Sequence, residues 1–212
     1  MKTYDIKFND GEKIYFTSDT HFNHENIIKF CNRSYKSVEE MNNDMIEKWN
    51  NKVPKDALVF HLGDFAYGKF ADTKEIRDKL NGKIILIKGN HDWKNNASSP
   101  TQEKLLFENV YNQLLIKIDK RYVYLNHYPF LCYAGTYSDV EDQYYQLFGH
   151  VHSRKQIQTV GKDDERLKYL FPTQYDVGVD NNDFTPLSWK DVDNIISYQV
   201  NAYLKNKIYY NK

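Results

Sequence analysis

Two short apolar runs, "ALVFHL" at residues 57–62 and "KIILIK" at 83–88, have the length and unbroken character of strands buried on both faces. The segments around them read differently. In "MNNDMIEKWNNKV" the apolar positions Met41, Met45 and Trp49 fall four apart, Ser37 and Glu40 have capping-box spacing just upstream, and Pro54 closes the pattern, so a helix is predicted. Asp72 and Glu75 predict the start of a second helix running through Leu80, and Ser99-Pro100-Thr101-Gln102 a third, with proline at its favoured first position. Near the start, "YDIKF" and "KIYFTS" flank "NDGE", whose Asn-Asp-Gly signal predicts an antiparallel hairpin. From about residue 110 the pattern turns strand-like in "YNQLLIKI", "RYVYLN", "YQLFG", "KQIQTV" and "LKYLF". Val192, Ile195, Ile196 and Val200 then mark a closing helix from Ser188 to about Lys205.

Strand–helix alternation followed by a strand-rich half predicts an α/β protein with more than one sheet, the first-half strands largely parallel. No linker, repeat or low-complexity tract interrupts the 212 residues, so 1–212 is expected to be one domain. Composition narrows the function classes. Lys plus Arg equals Asp plus Glu at 29 each, which gives no global basic field for nucleic acid. The first residues carry no apolar h-region, and no 18-residue uncharged apolar stretch could span a bilayer; a cytoplasmic protein with no membrane partner is expected. Cys31 and Cys132 form no C-x-x-C pair and are expected as reduced, buried thiols. The 18 tyrosines are expected chiefly to fill the core, with stacking on bases the lesser use.

The chemistry lies where the strands stop. Asp19 and His21 follow "KIYFTS", Asp64 follows "ALVFHLG", Asn90 and His91 follow "KIILIKG", His127 follows "RYVYLN", and His150 and His152 follow "YQLFG". Ligands bind in the crevice outside the carboxyl ends of strands in open α/β sheets, so these loci can converge. Residues i and i+2 of an extended segment point the same way, which pairs Asp19 with His21 and His150 with His152. Imidazole and carboxylate without thiolate suit Mn, Fe or Zn, and so many ligands exceed one tetrahedral zinc. They suit two ions about 3.5–4 Å apart sharing a carboxylate.

The blocks "SDTH", "GDF", "GNHD", "NHYP" and "GHVH", in that order, resemble the calcineurin-like metallophosphoesterase superfamily over residues 12 to 190, and within it the small bacterial and phage-type branch. The resemblance implies a two-sheet β-sandwich flanked by helices, in four α/β/β/α layers. It implies two divalent metal ions (Mn, Fe, Zn or Ni, with Mn active in vitro), one held by Asp19, His21 and His152, the other by Asn90, His127 and His150, with Asp64 bridging. It further implies hydrolysis of a phosphate ester by a metal-bridging hydroxide. His91 would protonate the leaving oxygen, and Asp92 would orient the His91 ring and hold it charged.

The remaining residues divide. His24, three beyond a ligand, is either a substrate contact or a loop histidine bonded to backbone. His61, inside a strand, is expected as a satisfied core histidine. Asp176 and Asp180 in "YDVGVDNNDF" are expected in turn or capping roles, with support of a ligand histidine the alternative. The terminal "KNKIYYNK" is expected as a solvated helix end. Asp64 is followed by "FAYGKF", without the aspartate and arginine of protein-phosphatase members, which favours small, nucleotide-like esters over phosphoproteins. A nuclease of single strands or oligonucleotides is one alternative; a protein-binding scaffold is the other, disfavoured because no ligand position is missing. The loop 127–146 holds five tyrosines and Phe130 and is either a packed wall or a base-stacking surface. The oligomeric state has no signature.

Overall fold

In the computed structural model, which describes residues 3–5, 13–92, 100–135, 143–153 and 167–210, the two apolar runs are neighbouring parallel strands. In chain order the elements are β1 (Thr3–Asp5), β2 (Ile14–Thr17), α1 (Glu25–Phe30), α2 (Val38–Lys52), β3 (Leu58–His61), α3 (Phe70–Lys79), β4 (Lys83–Ile87) and α4 (Pro100–Leu106). The strand-rich half follows as β5 (Asn109–Tyr111), β6 (Gln113–Ile118), β7 (Arg121–Asn126), β8 (Tyr144–Phe148), β9 (Gln174–Asp176) and β10 (Leu187–Ser188), closed by α5 (Trp189–Tyr210). One sheet has the order β10-β2-β3-β4-β5, with β2 to β5 parallel and β10 an antiparallel edge. The other has the order β1-β6-β7-β8-β9, antiparallel between β6 and β7. The result is the α/β sandwich of two mixed sheets with helices that the sequence implies.

Alternation along the strands decides which face meets which layer. Ile14, Phe16, Phe60, Leu62 and Ile87 of the first sheet share one core with Ile116, Val123, Leu125, Tyr145 and Leu147 of the second. Phe16 and Phe60 stack there with ring centres 5.5 Å apart. Val192, Ile196 and Val200 of α5 join the same core. The opposite face of the first sheet, through Tyr15, Val59, Ile84 and Leu86, packs on Met41, Met45 and Trp49 of α2 and Ile76 of α3. Ser37 caps α2 by accepting from the Glu40 N–H at 3.1 Å, and the Glu40 carboxylate reaches back to the Lys36 N–H at 2.8 Å.

Several local expectations are corrected. The predicted antiparallel pairing of the first two strands is not found: β1 pairs in parallel with β6, in the sheet opposite β2, and "NDGE" itself lies outside the described residues. A local turn signal does not by itself fix which strands pair, because strand pairing also depends on the wider sheet context. "LKYLF" is turn rather than strand, while β9 and β10 arise from segments too short to show a period. The second predicted helix starts earlier, at Phe70, and Asp72 serves from inside its first turn by accepting from the Lys69 N–H at 3.2 Å. Cys31 is buried as expected, but Cys132 is exposed. "KQIQTV" lies outside the described residues, as do the side chains of most of the terminal "KNKIYYNK".

Register sets up the site. Thr17 is level with His61, and His61 with Leu86, so the loops after β2, β3 and β4 open side by side. In the facing sheet Leu125 is level with Leu147, and the Gly149 N–H donates to the His127 carbonyl at 3.0 Å. Replacing Phe60, fully buried between the sheets, with alanine should cost about 3–5 kcal/mol. Urea unfolding measures it; a loss under about 1 kcal/mol would contradict its place in the shared core.

Candidate metal centre

The ligand-bearing loops begin with a backbone feature the sequence reading missed. Asp19, His21, Asp64, His150 and His152 have φ of 57°, 49°, 57°, 71° and 46°, the left-handed region rather than the extended one. Asp and His tolerate that region better than most residues, though a non-glycine there still costs about 1–2 kcal/mol. The distortion keeps the strand edges paired beyond the strands: Asp19 N–H donates to Gly63 O at 2.9 Å, His21 N–H to Asp64 O at 3.0 Å and Phe22 N–H to Phe65 O at 3.0 Å. Asp19 and His21 share a face, but by consecutive left-handed turns and not by the i, i+2 geometry of a strand.

Side chains converge accordingly. Oxygen or nitrogen atoms of Asp19, His21 and His152 lie within 4.8 Å of one another, as do those of Asp19, Asp64 and His127. Asp19 belongs to both groups, and Asp64 Oδ2 stands 3.5 Å from both His21 Nε2 and His127 Nε2, one in each group. Asn90 Oδ1 is 3.0 Å from His127 Nε2. His150 is looser: its exposed ring lies edge-on to His127 at 5.1 Å, and its N–H donates to Asp19 Oδ2 at 2.9 Å. Glycines make this approach feasible. A Cβ on Gly63, at φ 101°, would fall 2.6 Å from His127 Nδ1, and one on Gly89 would run into Asp64 Oδ1.

The donors fit divalent cations. Asp19 is 0% and Asp64 2% exposed, and Asp19 Oδ1 and His21 Nε2 have no hydrogen-bond partner among the described residues. Orphaned buried polar atoms are costly, and two of them aimed into one cluster suit the binding of a cation. Burial, then the charges of His152 and Arg33, drives the His21 pKa well below 6.5, which favours the neutral ring that a cation can bind. His127 donates through Nδ1 to Leu62 O at 2.8 Å, and its Nε2 lies 3.0 Å from the Asn90 side-chain carbonyl oxygen; a cation between them would engage both. Burial raises Asp64 to about 7 against the opposing charge of His127.

Around this set lies a layer the sequence disclosed only in part. His152 Nδ1 is 2.7 Å from Asp180 Oδ2, and Arg33 grips both Asp180 oxygens at 2.8 and 3.0 Å while donating to the carbonyls of Asp19 and Thr20. Asp180 thus supports a ligand histidine, the alternative to the capping role expected for it. Burial alone would raise its pKa, but the charge of Arg33 and the bonds to His152 and Arg33 hold it near 2. Arg33 carried no signal in the sequence, since an isolated arginine after a short helix looks like surface. Cys31 packs against the same His152–Asp180 pair. Asp176 keeps the local role expected for it, accepting from the Gly178 N–H at 2.8 Å and from Ser153.

Asp92 departs from its expected task. Its oxygens accept from the backbone N–H groups of Asp64, Phe65 and Gly89 at 2.8, 3.0 and 2.8 Å, tying the loop after β3 to the loop after β4. Its charge still favours protonated His91, but burial outweighs it and lowers the His91 pKa. The half-buried His91 ring stands 5.1 Å from His21, while the His91 backbone N–H donates to Asp64 Oδ1 at 2.9 Å. His24 meets His21 Nδ1 through its own Nδ1 at 3.3 Å and stacks on Tyr67 at 4.7 Å. His61 is a satisfied core histidine: Nδ1 accepts from the Gly63 N–H, Nε2 donates to Thr20 Oγ1 at 2.9 Å, and burial depresses it to about 3.

Fold and site together define an α/β sandwich with a histidine–carboxylate metal centre at the carboxyl ends of its strands. The chain belongs to the calcineurin-like phosphoesterase family, whose sequence profile matches residues 12–194. It is similar to an uncharacterised protein of Methanocaldococcus jannaschii, 51% identical over 82 residues, covering 38% of this chain and 47% of that protein. The chain therefore spans about half the length of that relative. It is also similar to the gene 66 protein of Mycobacterium phage L5, 27% identical over 165 residues, covering 66% of this chain and 77% of the phage protein. Among solved structures, a protein of unknown function from Aquifex aeolicus aligns with a TM-score of 0.63 and 25% identity over 86% of this chain and 98% of its own. An archaeal phosphodiesterase aligns with a TM-score of 0.34 and 22% identity over 66% of this chain and 74% of its own.

If Asp180 holds His152 in the correct tautomer, Asp180→Asn should weaken binding of divalent ions by roughly 10- to 100-fold with the fold retained by circular dichroism. Unchanged affinity in a metal titration would remove Asp180 from that role.

Proposed function

We propose that this protein hydrolyses a small, nucleotide-like phosphate mono- or diester, with His91 as the general acid. The observation that carries this reading is the placement of Asp64 at 3.5 Å from both His21 and His127, one carboxylate between two ligand groups. Asp19, His21 and His152 would hold one divalent ion and Asn90, His127 and His150 the other, with Asp64 shared. When bound, the ions would supply an acidified water and neutralise charge on the phosphoryl oxygens. Manganese suits the donors, which include no thiolate. The ligand set is complete, which separates this reading from a non-catalytic scaffold. No helix among the described residues is long and apolar enough to cross a membrane.

The chain's own side chains handle the proton and the substrate. His91 stands beside His21 without belonging to either tight ligand group. Its lowered pKa makes the imidazolium a readier acid, and an arriving anionic phosphate would offset the lowering by favouring the charged ring. His24 spends Nδ1 on His21, which leaves Nε2 for a phosphate oxygen. Asp92 fixes the two loops that carry Asp64 and His91 relative to each other.

His91→Ala should keep about two ions per chain and lose turnover on alkyl or ribosyl esters by roughly 10²- to 10⁴-fold. The loss should be smaller on a nitrophenyl ester, whose leaving group departs as a stable anion. Kinetics on both ester types, with metal analysis of the same samples, test this. Equal losses on both, or loss of an ion, would move His91 out of the acid role.

A further inference from the structure

The apolar groups that the sequence left unplaced gather beside the metal centre. A cavity of about 440 Å³ opens next to His150, walled by Tyr128, Phe130, Leu131, Val151 and Tyr169. Leu131 is 80%, Tyr169 67% and Tyr128 45% exposed, a concentration of large apolar surface at its mouth. The wall belongs to both sites: Tyr128 lies edge-on to His127 at 4.9 Å and to His150 at 4.7 Å.

The cavity is preformed. Two buried glutamines pin the backbone of its floor: Gln146 accepts from the Phe130 N–H at 3.3 Å and donates to Tyr128 O at 3.2 Å, and Gln174 donates to Phe130 O at 2.9 Å. The glutamines are themselves joined at 2.7 Å. Loops held from beneath in this way present side chains without an ordering cost at the moment of binding.

We propose that this cavity takes the nucleobase of the phosphate ester whose phosphate sits at the metal centre. The inference rests on the phosphoesterase reading above and names its substrate class. Three aromatic walls, Tyr128, Phe130 and Tyr169, offer faces for stacking, and the two tyrosine hydroxyls offer polar contacts. The open mouth argues against an acyl chain. A chain gains only from apolar area removed from water, whereas a planar base stacks one face and keeps its polar edge hydrated.

The test uses full-length protein loaded with manganese. Initial rates are compared on adenosine 5′-phosphate and ribose 5-phosphate, on the methyl diester of each, and on octyl phosphate. Tyr169→Ala and Leu131→Ser, neither in the catalytic machinery, are measured alongside wild type. Saturation-transfer NMR with adenosine and with ribose, run on protein loaded with diamagnetic zinc, supplies a readout that needs no turnover. The base-bearing esters should be preferred in kcat/KM by roughly 5- to 150-fold. The preference should shrink in both variants while rates on ribose esters stay unchanged, and adenosine should receive saturation in wild type where ribose does not. Equal kcat/KM with and without the base, variants that leave the preference intact, or no transfer to adenosine would overturn the proposal while the phosphoesterase reading stands. A preference for octyl phosphate would assign the cavity to an acyl chain and overturn it too. No hydrolysis of any ester, with saturation transfer to adenosine preserved, would instead sink the hydrolytic reading and leave a base-binding cavity.

Discussion

Negative charge buried at one end of the sandwich is the constraint on which the rest of the structure depends. Asp19, Asp64, Asp92 and Asp176 are buried there, and the side chain of Asp180 is sealed with them. Arg33 is the one buried lysine or arginine among the described residues. Such carboxylates are tolerated only when paired or richly hydrogen-bonded. Asp92 meets the condition with three backbone N–H groups, Asp176 with Gly178 and Ser153, and Asp180 with Arg33 and His152. Asp19 and Asp64 accept one backbone bond each, from His150 and His91, and turn their other oxygens toward imidazoles. The unbalanced remainder is a pocket of negative potential shaped for cations and, once cations fill it, for phosphate.

The backbone is bent to serve the same end. Five of the seven candidate ligand residues sit in left-handed conformations, and the strain is offset by continued pairing between the ends of β2 and β3 and by the Asp92 tie to the next loop. Glycines at 63, 89 and 149 mark where a side chain would displace a ligand atom. Strain held by surrounding hydrogen bonds keeps ligand positions fixed before any ion arrives, which lowers the reorganisation required on binding. Arg33 extends the scaffold, because its bonds to the Asp19 and Thr20 carbonyls and to Asp180 join the loop after β2 to the turn after β9.

Much of this was legible in the chain. Buried strands ending in Gly plus Asp or His, repeated at several loci, disclosed both the parallel sheet and the side chains that gather at its carboxyl end, since local composition and strand ends carry that signal directly. Asp180 was visible as a second reading because a carboxylate close in sequence to a strand end is a common support. Arg33 was not, because its partners lie up to 147 positions away and nothing local distinguishes it. The pairing of β1 with β6 was hidden for the same reason, and so was the task of Asp92, whose neighbour in sequence, His91, is not where its oxygens point. The left-handed φ values escaped because an Asp or His after a strand is compatible with either conformation.

The central claim is that one carboxylate, Asp64, serves two ions at once. Electron paramagnetic resonance of the protein carrying two equivalents of manganese(II) tests it most directly. Ions about 3.5–4 Å apart through a shared carboxylate are magnetically coupled, so the account predicts a broad, temperature-dependent multiline spectrum from an interacting pair, lost in Asp64→Ala. A plain six-line spectrum of isolated ions at full loading would contradict it.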